Sequence, residues 1–188
     1  PAAVVYRALD RAGPAPGAHI LVVGDGTVGL LAAYLARQWR PGVVDVLGLR
    51  PAQAVLALAA GADSFRVEPT PDRYDLVLEA AGAPAAVEHA IAAVDRGGTV
   101  VLVGLAGTGV SARLPIDDVV NADVSIIGSF SYTRTAWRAV VDHLNAGRID
   151  LGFLVTDRYP LDRWEAAIDR LRRSDGVRGK VMLDLDPA

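Results

Sequence analysis

The 188-residue chain contains no cysteine. Disulfides, thiolate nucleophiles and any zinc site built on cysteine are therefore excluded within it. Its three histidines, His19, His89 and His143, stand apart in sequence and read as surface or helix-end residues rather than metal ligands. No run of lysine and arginine forms a basic block, and the net charge of −3 is spread over interspersed charges of both signs. That leaves no electrostatic footprint for a nucleic acid. No apolar stretch reaches membrane-spanning length without a glycine or a charge. No basic segment followed by a hydrophobic run marks a leader, so a cytoplasmic protein with no membrane partner is the expectation. Internal repeats and low-complexity linkers are absent as well. What the chain does have is 52% hydrophobic residues, enough for a full core and too many for a disordered chain. Its length fits one domain, or one domain and part of another.

The most informative segment is Ile20 to Leu31, ILVVGDGTVGLL. An apolar strand runs into Gly24, Gly26 and Gly29, and the last of these opens an apolar helical run. This is a G-x-G-x-x-G fingerprint for a dinucleotide in the strand-turn-helix setting it requires. Gly24 allows the tight turn off the strand, Gly26 lets a pyrophosphate approach the backbone, and Gly29 permits close helix–strand packing. The N–H groups at the start of the helix, over Thr27 and Val28, then face the phosphates. Asp25 lies inside the loop; a carboxylate pointing at a pyrophosphate would repel it. It is expected to turn outward or to hydrogen-bond to the loop, without a catalytic role.

Along the rest of the chain, apolar strands alternate with helices. Helical spacing covers 2–12, and strands are expected at 19–23, 43–47, 63–67, 76–79, 99–103 and 125–127. Helices are expected over 27–39, 51–60, 85–94 and 115–121, with a tight turn at Arg96-Gly97-Gly98. Near-continuous apolar strands alternating with helices give an α/β fold, a Rossmann-type doubly wound parallel sheet in three α/β/α layers. Beyond Gly128 the character changes, with helices over 135–145 and 161–171, an extended run over 149–155 and a terminal strand over 180–185. The expected organisation is a lead-in helix at 1–14, the nucleotide-binding domain at 15–130, and a tail at 131–188 that belongs in part elsewhere.

Nineteen residues past Gly29, where an acid normally accepts hydrogen bonds from the adenosine ribose, the chain has Gly48, then Leu49 and Arg50. A glycine there removes the repulsion an acid would exert on a 2′-phosphate, and an arginine supplies a charge-assisted contact to it. The reading favours NADP(H), with NAD(H) as the other coenzyme. Arg66 and Arg73 are further cations that folding could bring near.

Five segments in order resemble the coenzyme-binding half of the medium-chain dehydrogenase/reductase superfamily, the zinc-type alcohol dehydrogenases. They are Gly24 to Gly29, Glu79-Ala80-Ala81-Gly82, Gly97 to Gly104, Gly128-Ser129-Phe130 and Gly179 to Met182. The segment Gly48-Leu49-Arg50-Pro51 is similar to the G-S-R-P of NADP-dependent bacterial members, with Leu49 in place of the serine. The resemblance implies a parent oxidoreductase that moves a hydride between NADP(H) and a small alcohol or carbonyl substrate. It implies that Ala80 and Ala81 line the cleft and that Val103, Gly104 and Leu105 meet the nicotinamide end. Ser129 and Phe130 would lie close by, with Arg178 near the pyrophosphate. It also implies that zinc and the catalytic groups belong to an N-terminal catalytic domain absent from this chain, so that the chain alone binds a nucleotide without turning over an alcohol. A homodimer formed through the 107–127 region is a further implication. A zinc-free quinone or enone reductase of the same superfamily, and a non-catalytic nucleotide-sensing module, are the alternatives.

Overall fold

The computed structural model describes residues 1–69, 71–173 and 175–185; the last three residues of the expected tail lie outside them. Six strands form one sheet: β1 (His19–Val23), β2 (Val43–Leu47), β3 (Ser64–Arg66), β4 (Tyr74–Glu79), β5 (Val94–Leu102) and β6 (Ser125–Gly128). Their spatial order is β3-β2-β1-β4-β5-β6, and every pairing is parallel. The helices are α1 (Ala2–Ala12), α2 (Thr27–Ala36), α3 (Ala54–Ala59), α4 (Pro84–Ala93), α5 (Ile116–Asn121), α6 (Arg134–Asn145) and α7 (Trp164–Arg172). Two further strands, β7 (Val155–Pro160) and β8 (Lys180–Asp184), pair in a separate parallel sheet.

Alternation along β1 explains the layering. Ile20 and Val22 face a core shared with α1, α2 and α3, whereas Leu21 and Val23 face the smaller core under α4. Successive strand residues point to opposite faces, so a strand apolar at every position must be covered on both sides. This is the doubly wound three-layer arrangement expected from the sequence. Because α2 is packed over much of its circumference, Leu30, Leu31, Ala32, Ala33, Leu35 and Ala36 are all buried. The lead-in helix is part of the same core. Val5, Ala8 and Leu9 are buried, and Arg7 and Arg11 donate to the carbonyls of Phe130 and Gly128.

Four elements differ from the sequence expectation. The helix over 27–39 is α-helical only to Ala36 and closes in a 3₁₀ turn, Arg37–Trp39, ending at Arg40 in the left-handed region. Likewise the helix expected from Pro51 starts as a 3₁₀ turn, Pro51–Gln53. The 149–155 run is extended only from Val155, where β7 begins: Asp150 Oδ1 accepts from Gly152 N at 2.8 Å, and a 3₁₀ turn over Gly152–Leu154 lets Ile149 and Leu154 sink into the core. The expected tight turn at Arg96-Gly97-Gly98 lies within β5, with Gly97 at φ 71° and a register shift between Tyr74 and Leu76 on the facing strand.

Among the described residues, no helix is long and apolar enough to cross a membrane. The strand order reverses between β1 and β4, and in sheets of this kind ligands bind outside the C-terminal ends of the strands at that switch point.

Candidate functional site

At the switch point β1 ends and its hydrogen bonding continues into the loops. Gly24 N donates to Leu47 O at 2.8 Å, Ala80 N to Val23 O at 2.8 Å, and Gly48 N to Arg66 O at 2.9 Å. The three strand ends thus hold the glycine loop between the loop after β2 and the loop after β4. Gly24 has φ 126°, and a side chain on it would press within 3.0 Å of Ala81 N. A Cβ on Gly29 would lie 1.9 Å from Gly24 O, so the first turn of α2 can close over the loop only with glycine there. Gly26 is different. It caps α2 in extended conformation, and a Cβ on it would meet nothing within 4 Å. The space that this glycine leaves empty adjoins the first-turn N–H groups of α2, which have no intrahelical acceptors.

A cavity of about 550 Å³ opens from this cradle. It brings together the expected residues Gly24, Asp25, Gly26, Gly48, Leu49, Arg50, Ala80, Ala81 and Arg178. Thr27, Val28 and Gly29 form the first turn of α2 beside it. Val103, Gly104, Leu105, Ser129 and Phe130 do not line it and lie farther along the same edge of the sheet. There Gly104 fits so tightly that a Cβ would sit 2.2 Å from Gly82 N, and Gly82, at φ 68°, is pressed against the Leu105 backbone. Ser129 is buried with its hydroxyl unpartnered, and Phe130 is exposed. A larger hollow of about 840 Å³ lies at the opposite, N-terminal ends of β4 and β5, lined by Arg73, Asp95 and Arg96 among others, and it has no glycine cradle.

Position 48 is not simply open. A Cβ on Gly48 would meet Asp25 Cβ at 2.6 Å and the Phe65 ring at 2.7 Å. Asp25 has turned toward the loop after β2, the second of the two orientations expected for it. Its carboxylate accepts from Leu49 N at 3.1 Å and Arg50 N at 3.0 Å, and pairs with the Arg50 guanidinium at 2.7 Å. Burial pushes the Asp25 carboxyl up, but the hydrogen bonds and charge of Arg50, with the Leu49 N–H, outweigh it and hold the group below the ordinary carboxylate range. Arg50 therefore reaches the cavity as half of an ion pair. Two further cations, Arg66 and Arg73, sit elsewhere. Arg66 pairs with Asp72 at 3.6 Å, and Arg73 donates to Ala92 O at the far end of β4. Arg178 lines the cavity, and its guanidinium donates to Leu171 O and Arg173 O at the C-terminal end of α7.

Three further residues belong to the site: Gln53, which the sequence did not single out, Glu79, which stood only as part of a family-like segment, and His89, expected at the surface. Gln53 is fully buried; its Nε2 donates to Asp25 O at 2.7 Å and Arg178 O at 3.0 Å, and its Oε1 accepts from Arg178 N at 2.7 Å. It joins the glycine loop to the segment before β8. A lone amide in the apolar run after Pro51 was the available signal. Glu79 is fully buried, with Oε1 accepting from Ala81 N and Gly82 N at 2.8 and 2.7 Å and Oε2 unpartnered. It fixes the turn that walls the cavity. His89 is exposed, yet it lines the cavity from α4. Its spacing from Ala85 and Ala86 puts the three on one helical face.

Residues 27–146 match the model of a family described as zinc-binding dehydrogenases. The chain belongs to that family. Over its whole length it is 32% identical to the sorbitol dehydrogenase of Gallus gallus, of which it spans 55%. The structure superposes with a TM-score of 0.82 on a cobalt- and zinc-bound thermostable alcohol dehydrogenase from Pyrobaculum aerophilum, at 30% identity, over 98% of this chain and 55% of that one. A protein from Sinorhizobium meliloti 1021, solved with NADP bound, has the same fold at a TM-score of 0.88 and 24% identity, over 98% of this chain and 57% of that one. The chain thus spans about half the length of the relatives it matches. Among the described residues no group of three or more His, Asp or Glu side chains is arranged to hold a metal ion.

Proposed function

We propose that this chain is the coenzyme-binding part of an alcohol or carbonyl oxidoreductase and that its cavity receives NADP(H) in preference to NAD(H). The observation that carries the dinucleotide reading is the empty space over Gly26, which adjoins the uncapped start of α2 and opens into the 550 Å³ cavity. A diphosphate fits that space because backbone N–H groups and the positive end of the helix dipole favour it. The preference for a 2′-phosphate rests on Arg50 in the cavity wall, which faces the single carboxylate of Asp25 with no second acid added at position 48. When bound, the nicotinamide ring of such a coenzyme gives or accepts a hydride.

The chain's own part is to bind and orient. Thr27 and Val28 would supply N–H donors to the diphosphate, and Leu49, Ala80 and Ala81 would bracket the adenosine. Val103, Gly104 and Leu105 would meet the carboxamide end, with Ser129 and Phe130 beside them. The catalytic groups and the zinc would be supplied from outside these residues, with β7, α7 and β8 packing in part against that other half. The free edge of β6, with Ile126 exposed, is where a second copy would add its strand. Fluorescence titration of the 188-residue chain with NADPH, NADH and S-adenosylmethionine tests the reading. Saturable binding of the two nicotinamide coenzymes, tighter for NADPH, is expected. Binding of S-adenosylmethionine alone would overturn it.

A further inference from the structure

We propose that Asp25, inside the glycine loop, is the residue that sets coenzyme choice in this chain, by standing in for the acid missing from the end of β2. The inference rests on the dinucleotide reading of the same cavity. A carboxylate at the end of β2 would work by offering an acceptor to the ribose hydroxyls and a negative charge against a 2′-phosphate. Asp25 brings both to the same place from the neighbouring loop. Its two oxygens bond Leu49 N, Arg50 N and the Arg50 guanidinium, immediately after position 48. Its Cβ lies 2.6 Å from where a Gly48 side chain would begin, so the two positions share one space and only one of them can carry an acid.

The pair is built to persist. The Asp25 carbonyl accepts from the fully buried Gln53 amide at 2.7 Å and from Arg50 at 3.4 Å, so the main chain of Asp25 is held as firmly as its carboxylate. Arg50 therefore does not meet an incoming 2′-phosphate as a free cation. A phosphate approaching Arg50 approaches Asp25 as well, and the favourable and unfavourable charges largely offset. NADP(H) then keeps a preference over NAD(H), but a narrow one of about tenfold or less, far short of what an uncompensated arginine gives. The ribose 2′-hydroxyl of NAD(H), in contrast, can donate to the carboxylate.

Asp25→Asn separates charge from shape. Asparagine keeps an oxygen for the Leu49 and Arg50 N–H groups and removes the negative charge. Calorimetric titration with 2′,5′-ADP and 5′-AMP reads the adenosine pocket without any turnover. In the Asp25→Asn variant the ratio of affinities, 2′,5′-ADP over 5′-AMP, is expected to rise by about tenfold or more. An unchanged ratio would overturn the proposal, as would an equal loss for both ligands. Arg50→Gln tests it from the other side, whether or not the first variant folds. With Asp25 uncompensated, 2′,5′-ADP should bind more weakly than 5′-AMP; equal binding would mean that Asp25 exerts no repulsion and would overturn the proposal. Failure of both ligands to bind the unaltered chain would overturn the dinucleotide reading along with it, whereas normal binding with an unmoved ratio would overturn the Asp25 assignment alone.

Discussion

Gly48→Ala tests the packing at the end of β2. The alanine Cβ would lie 2.6 Å from Asp25 Cβ and 2.7 Å from two atoms of the Phe65 ring. These contacts do not yield alike. The ring atoms are the far end of a side chain that can turn aside at small cost. Asp25 Cβ is one bond from a main chain whose carbonyl is held by Gln53 and whose carboxylate is held by Leu49 and Arg50. Relief must come from moving the glycine loop or from stretching those bonds. Overpacking of this kind costs about 1–3 kcal/mol. With a urea dependence of about 2–3 kcal/mol per molar for a chain of this size, the denaturation midpoint should fall by about 0.3–1.5 M. The assay is urea unfolding followed by far-ultraviolet circular dichroism and tryptophan fluorescence. A midpoint within about 0.2 M of the unaltered chain would refute the reasoning. Full recovery when the same change is made in a Phe65→Leu background would also refute it, by showing that the ring and not Asp25 is the obstacle.

Further outcomes follow from the same geometry. Gly29→Ala drives a Cβ to 1.9 Å from a backbone oxygen, so it should cost more stability than Gly48→Ala and should abolish nucleotide binding; paired denaturation and titration measure both. Gln53→Leu strips the partners from the Arg178 N–H and carbonyl inside the protein, and unfolding experiments should record a loss of about 2 kcal/mol or more. The carboxyls of Asp25, Asp63 and Asp157 are all held below their ordinary range. Burial opposes this at Asp25 and Asp63 and is outweighed by hydrogen bonds and by Arg50 and Arg37; at Asp157 the Thr156 hydroxyl leads and Arg170 adds to it. Their contribution is complete above the unfolded value and is lost as the pH falls through the lower folded values. Stability should therefore drop steeply below about pH 4, and a urea midpoint that stays flat there would contradict the assignment.

The layers of the fold were legible because every strand of a two-sided parallel sheet must be apolar on both faces, and β1, β4 and the second half of β5 read that way. The glycine cradle was legible because its spacing is local: a turn, an approach and a crossing within six residues. What was not legible depends on partners distant in sequence. Asp25 and Arg50 are 25 positions apart, and their pairing appears only when β1 and β2 lie side by side. Arg50 read as a free cation for that reason. Gln53 and Arg178 are 125 positions apart. The 149–155 run looked extended because its apolar residues suit a strand, but a side-chain turn at Asp150 and the buried anchors Ile149 and Leu154 decided otherwise ahead of Val155.

The central claim is that the space over Gly26 is the seat of a coenzyme diphosphate. Gly26→Val tests it directly, because a side chain there would touch no protein atom within 4 Å of its Cβ and the extended backbone accepts a β-branched residue. Calorimetric titration with NADPH, run beside urea denaturation, should give saturable binding to the unaltered chain and none to the Gly26→Val variant, with the variant still folded and its urea midpoint lowered by no more than about 0.5 M for the poorer helix cap. Equal binding of NADPH by both proteins would contradict the claim.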